Sequence, residues 1–153
     1  MRVWRLATSL HPPLTGEGAA LRGGRWNSIG LSVVYASTHL SLALVELLVH
    51  LDSLDLPRNL VACAVEFPNA SLEKLEPNDL PGGWRDDLRV TRAIGDEWIE
   101  SERSLALAVP SVIVPQEANV LLNPAHVRFA QVQVLSQESF QLDPRLLANP
   151  TPD

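Results

Sequence analysis

Leu31-Ser32-Val33-Val34-Tyr35-Ala36-Ser37-Thr38-His39-Leu40-Ser41-Leu42-Ala43-Leu44-Val45-Glu46-Leu47-Leu48-Val49 changes its hydrophobic pattern halfway along. Leu31 to Ala36 reads as a β-strand. From Leu40 onward, Leu40, Leu44, Leu47, Leu48 and Leu51 recur at helical spacing. Ser37 or Thr38 is available as an N-cap, and Asp52-Ser53 with Pro57 supplies the stop. The strand leads straight into the best helix of the sequence. Glu46 is the anomaly within it, the only ionisable side chain between Leu40 and Val49. Burying an unpaired carboxylate costs on the order of several kcal/mol. Glu46 therefore either meets a cation or faces a cleft, and an arginine in Gly23-Gly24-Arg25-Trp26-Asn27 is the first candidate for the cation.

Outward from that segment, Val3 to Ala7 predicts a short strand, and Ser9 to Ser32 a long, Gly-rich polar stretch of the kind that often carries function. Leu60 to Phe67 is β-rich and closes at Pro68. Arg85 to Ser101 predicts a second helix, with Leu88, Ile94 and Trp98 as packing positions and Gly95 as a weak point. Leu105 to Pro115 predicts a strand pair or a strand bent at Pro110, and Asn119–Leu122 and Val127–Leu135 predict further strands. Several strands with two main helices indicate an α+β class, because the strict strand–helix alternation of a doubly wound sheet is absent. The 153 residues suit a single compact domain, 1–153, with its core over about 3–135 and a Pro-containing tail over 143–153.

Composition narrows the function classes. Hydrophobic residues make up 46% and charged residues 20%, an ordinary globular balance. No apolar run approaches the roughly 20 residues that span a bilayer, and the N-terminus lacks the apolar core of a signal peptide. A cytoplasmic location without membrane contact is expected. The net charge of −6 argues against direct binding of nucleic acid, which favours basic stripes. Lys74 is the only lysine, so an anionic ligand would meet planar guanidinium groups. Cys63 is the single cysteine and reads as a buried thiol. His11, His39, His50 and His126 lack metal-ligand spacing, so no metal site is expected. His50 falls one helical turn after Glu46 and can share its face.

Three further features carry chemistry. The paired glycines before Arg25 let backbone approach a ligand, and the guanidinium behind them suits a pyrophosphate or carboxylate; a turn with a solvated arginine is the plain alternative. The spacing is neither a Walker loop nor a dinucleotide fingerprint. Tyr35, the only tyrosine, sits at a strand end, where its ring can stack on a ligand or its hydroxyl can simply be hydrogen-bonded. Ser111 is a hydroxyl within Val109-Pro110-Ser111-Val112-Ile113-Val114-Pro115 and lacks the elbow of a hydrolase nucleophile. Arg85, Arg89 and Arg92 recur at helical spacing among Asp86, Asp87, Asp96 and Glu97, the pattern of a salt-bridged surface helix.

Gly-Gly-Arg25-Trp-Asn-Ser-x-Gly, Val-Val-Tyr35-Ala-Ser, Ser41-Leu-Ala-Leu-Val-Glu46 and Pro-Ser111-x-x-Val-Pro, with Asn119 and Asn123-Pro124, together resemble the RES domain, from about Val3 to Leu135. The family is named for an Arg, a Glu and a Ser, and nothing departs from its pattern at those positions. The resemblance implies a fold related to ADP-ribosyltransferases and the toxin half of a bacterial toxin–antitoxin pair with an Xre-like antitoxin as partner. It further implies NAD as substrate, with no prosthetic group, and cleavage of the nicotinamide–ribose bond by hydrolysis or phosphorolysis. Some members use phosphate as acceptor and others a protein. On that resemblance Glu46, Arg25, Tyr35 and Ser111 form the catalytic set. Arg25, Tyr35, Ser111, Asn27 and Ser28 contact the dinucleotide. A change of acceptor to a protein, and a catalytically silent binding module, are the alternatives.

Overall fold

The computed structural model describes residues 1–51 and 59–146. Among these residues seven strands form one mixed sheet, with three α-helices interspersed, an α+β architecture. In chain order the elements are β1 (Arg2–Thr8), α1 (Glu17–Arg22), β2 (Val34–Ser37), α2 (Leu40–Leu48), β3 (Leu60–Glu66), β4 (Leu72–Lys74), α3 (Leu88–Ser101), β5 (Ala106–Pro110), β6 (Ala118–Leu122) and β7 (Gln133–Ser139). The sheet runs β4-β5-β6-β2-β1-β3-β7, and its one parallel pair is β4 with β5.

Strand alternation divides the core in two. Val3, Val34, Ala36, Cys63, Val65, Ala106, Val120 and Leu122 pack on one face. Leu107, Val109 and Leu121 point the other way and meet Trp98 and Ile99 of α3, with Trp26 and Trp84 from the loops. Trp98 is wholly buried, and its indole Nε1 donates to Ser104 Oγ at 2.8 Å. α2 packs against β1 and β2.

The register of β2 against β6 decides which polar side chains can meet. Tyr35 faces Leu121 and Ser37 faces Asn119. Residues paired in this way project to the same side, so Tyr35, Ser37, Asn119 and Leu121 share the face covered by α3.

Several sequence expectations shift. The long polar stretch contains the short α1, and β4 lies where no strand was expected. The strand expected from Leu31 starts at Val34, and the one expected over 127–135 becomes a 3-10 turn at Phe129–Gln131 followed by β7. α2 begins at Leu40 with His39 in the N-cap position, without a side-chain cap. Both hydroxyls expected to cap it are engaged across the sheet: Ser37 Oγ donates to Asn119 Oδ1 at 2.7 Å, and Thr38 Oγ1 to the Ala118 carbonyl at 3.1 Å. α3 starts at Leu88, where the Asp87 carboxylate accepts from the Arg89 backbone N–H. The stop at Asp52-Ser53 and Pro57, and the end of the tail, lie outside the described residues.

Gly95 has a use that helix propensity hides. A Cβ built there would overlap the Trp26 carbonyl oxygen. Only glycine lets α3 approach the Arg25 loop this closely.

Candidate active site

Glu46 occupies the second half of α2, half-buried. Its Oε1 accepts two hydrogen bonds, from Ser111 Oγ at 2.8 Å and from Asn119 Nδ2 at 2.6 Å. Among the described residues no arginine lies within ion-pair distance of it. The expected Arg25–Glu46 contact is thus absent there, and neutral donors take the place of the cation. Glu46 Oε2 has no donor among the described residues, and Arg5 Nε is the one fully buried side-chain polar atom there without a partner. Oε2 is therefore the carboxylate oxygen left without a partner among those residues.

Each donor is itself constrained. Ser111 follows the last residue of β5 and is fully buried. Its oxygen accepts the backbone N–H groups of Ile113 (3.1 Å) and Val114 (3.0 Å). With both lone pairs engaged, the hydroxyl proton has Glu46 as its acceptor. A serine bonded in this way is a donor to the carboxylate and a poor nucleophile. Asn119 is held against flipping, because Ser37 Oγ donates to its carbonyl oxygen and so turns the NH2 toward Glu46. Sequence reasoning missed Ser37 and the role of Asn119; a polar pair in register across β2 and β6 becomes visible only with the sheet.

Arg25 lies on the Gly-rich loop, half-buried, and its Nη1 donates to the Arg85 carbonyl oxygen at 3.0 Å. Tyr35 reaches the same loop from β2. Its hydroxyl donates to Asn27 Oδ1 at 2.8 Å and accepts from the Trp26 backbone N–H at 3.0 Å. A Cβ on Gly24 would crowd that hydroxyl, so the glycine permits the contact. Burial pushes the Tyr35 pKa up to about 12, against smaller opposing effects of the Trp26 N–H, Arg92 and Arg25. Tyr35 is a neutral phenol at physiological pH, and its hydroxyl ties down the loop that carries Arg25.

Asn27 takes a different place from the expected dinucleotide contact. It is fully buried, and its Nδ2 donates to the carbonyls of Ala19, Ser28 and Leu31. Ser28 turns its hydroxyl and its backbone N–H to Asp96 on α3. Both residues build the loop. The face of β2 thus carries two sites side by side, the Arg25 loop at Tyr35 and the carboxylate at Ser37, two residues and roughly 7 Å apart along the strand.

The RES domain model matches residues 2–143 of the chain. A Sphingobium sp. (strain YBL2) protein named Prs ADP-ribosylating toxin is 40% identical over 153 residues, covering 94% of this chain and 95% of its own length. A Yersinia enterocolitica protein named Toxin Res is 43% identical over 138 residues, covering 86% and 89% respectively. Among solved structures, the Mycobacterium tuberculosis MbcT–MbcA toxin–antitoxin complex contains a chain of similar fold. It superposes with a TM-score of 0.77 at 18% identity, covering 95% of this chain and 86% of that one.

Proposed function

The chain belongs to the RES domain family, and from that premise we propose that it is the toxin of a bacterial toxin–antitoxin pair and consumes NAD by breaking the nicotinamide–ribose bond. The observation that carries this reading is Glu46, with one carboxylate oxygen fixed by Ser111 and Asn119 and the other without a donor among the described residues.

The chemistry asks for that arrangement. When the glycosidic bond breaks, its electron pair leaves with nicotinamide, which departs neutral and needs no proton. The ribose C1′ is left electron-poor and oxocarbenium-like. A carboxylate held in place stabilises that positive charge more in the transition state than in the ground state, and it can hold a ribose hydroxyl. Glu46 Oε2 has this role, while Ser111 and Asn119 keep it from rotating away. Arg25 binds the diphosphate and fixes the orientation of the dinucleotide. The acceptor, water or inorganic phosphate, supplies the pair that forms the new bond at C1′ and releases its proton to solvent.

One observation favours a second acceptor, the name of the Sphingobium relative, which describes an ADP-ribosylating toxin. In that reading a protein side chain takes the place of water or phosphate, and the roles of Glu46 and Arg25 are unchanged. An Xre-like antitoxin is the expected partner, supported by the fold shared with a chain of a toxin–antitoxin complex. No described helix is long and apolar enough to cross a membrane. Action on the NAD of the cytoplasm is part of the same proposal. The acceptor is identified by incubating antitoxin-free protein with NAD, with and without phosphate, and weighing the products. Free ADP-ribose indicates water, a phosphorylated ADP-ribose indicates phosphate, and intact NAD in both arms contradicts hydrolysis and phosphorolysis and leaves the protein acceptor.

A further inference from the structure

Arg92 departs from the salt-bridged helix expected for α3. One turn earlier, Arg89 is bonded to Asp87 at 2.9 Å, and just beyond the helix Arg103 is bonded to Glu73 and Glu97. Arg92 has an acid at the usual i+4 spacing, Asp96, yet Asp96 is turned to Ser28 instead. The Arg92 guanidinium crosses to the Gly-rich loop, where its Nε donates to the Gly24 carbonyl oxygen at 2.9 Å. That carbonyl belongs to the peptide bond joining Gly24 to Arg25. Arg92 is half-buried, and its two terminal nitrogens have no protein acceptor among the described residues.

Two arginines therefore flank one peptide, each held by a backbone carbonyl and neither neutralised by a carboxylate among the described residues. Both also act electrostatically on the Tyr35 hydroxyl, Arg92 more strongly than Arg25. In a chain of net charge −6, with acids on both sides of Arg92 in sequence, two unneutralised guanidiniums at one loop form a site for an anion with more than one charge.

We infer that Arg92 is the second arm of a diphosphate clamp whose first arm is Arg25, so that the site selects its substrate by the diphosphate. The inference rests on the NAD reading above and adds to it a binding residue on a different element. Pinning Nε to Gly24 fixes the guanidinium at the loop while Nη1 and Nη2 keep no protein acceptor among the described residues, and the carbonyl anchor keeps the positive charge intact for the ligand.

The test compares wild type, Arg92→Ala and Arg92→Lys for NAD turnover, and for inhibition by ADP-ribose, which carries the diphosphate, and by nicotinamide, which does not. The clamp predicts that Arg92→Ala raises the KM for NAD and the Ki for ADP-ribose together by about tenfold, the worth of one charge-assisted contact. The kcat and the Ki for nicotinamide stay within about twofold, and Arg92→Lys falls between the two. Equal weakening of both inhibitors, or a loss confined to kcat, overturns the clamp and leaves Arg92 as a support for the loop. Wild type that releases nicotinamide while Arg92→Ala keeps its KM overturns the clamp alone. Wild type that neither releases nicotinamide nor binds ADP-ribose overturns the NAD reading and the clamp with it.

Discussion

The two halves of the site solve opposite electrostatic problems in the same way. At Glu46 an anion is held by neutral donors, Ser111 and Asn119, each oriented by further hydrogen bonds. At Arg25 and Arg92 two cations are held by neutral acceptors, the carbonyls of Arg85 and Gly24. Pairing the carboxylate with an arginine would be the obvious way to bury both, and it would quench both. Neutral anchors fix position without cancelling charge, which leaves each half available for a ligand. Three surface arginines, Arg89, Arg103 and Arg145, lie instead on carboxylates.

Substitutions on either side should damage one half and spare the other. Gly95→Ala should have the largest effect, and on the arginine half alone. Its Cβ forces α3 away from Trp26, at a cost of about 3 kcal/mol in denaturant unfolding. Because the Glu46 partners are elsewhere, any folded Gly95→Ala protein should show a raised KM for NAD more than a lowered kcat. Asn119→Asp strikes the other half by placing a second carboxylate where the donor stood, 2.6 Å from Glu46 Oε1. A kcat loss of about 100-fold with little change in KM is expected, and Ser37→Ala should reproduce a mild, few-fold version by freeing the amide to rotate. Arg25→Ala should do the reverse, raising KM and the calorimetric Kd for ADP-ribose about tenfold while kcat holds.

The smallest effect concerns pH. Tyr35 is the only tyrosine, so tyrosinate absorbance in the near ultraviolet reads it alone, and the folded protein should titrate with a midpoint of about 12. The unfolded chain ionises at about 10. Between the two values the folded state holds the proton and the unfolded state does not, so stability is intact below about pH 10 and falls as pH rises toward 12. Tyr35→Phe removes that slope; a midpoint of about 10 in the folded protein would place the hydroxyl in water.

How far the sequence carries differs from residue to residue. Glu46 was legible because a carboxylate in an apolar helix is an anomaly that periodicity exposes. Arg25 and Ser111 stood out for similar local reasons. Arg92 did not, since its neighbours Asp86, Asp87 and Asp96 suggested salt bridges; that Asp96 belongs to Ser28, 68 positions away, is a fact of tertiary structure. Asn119 and Ser37 are 82 positions apart and acquire meaning only from the β2–β6 register. Asn27 has a structural part the sequence does not show: beside the motif, its side chain is the buried knot of the loop. Secondary structure failed at the ends of elements and at the short α1 and β4, where few residues give a weak periodic signal.

Nicotinamide release by wild type beside Glu46→Gln measures most directly whether Glu46 acts as a carboxylate on NAD. Gln keeps the shape and can still accept from Ser111 and Asn119 through its carbonyl, so the fold is retained, as thermal unfolding of the two proteins should show. Release by wild type that falls at least about 100-fold in Glu46→Gln is the predicted result. Equal release by the two folded proteins would contradict it and remove Glu46 from the chemistry.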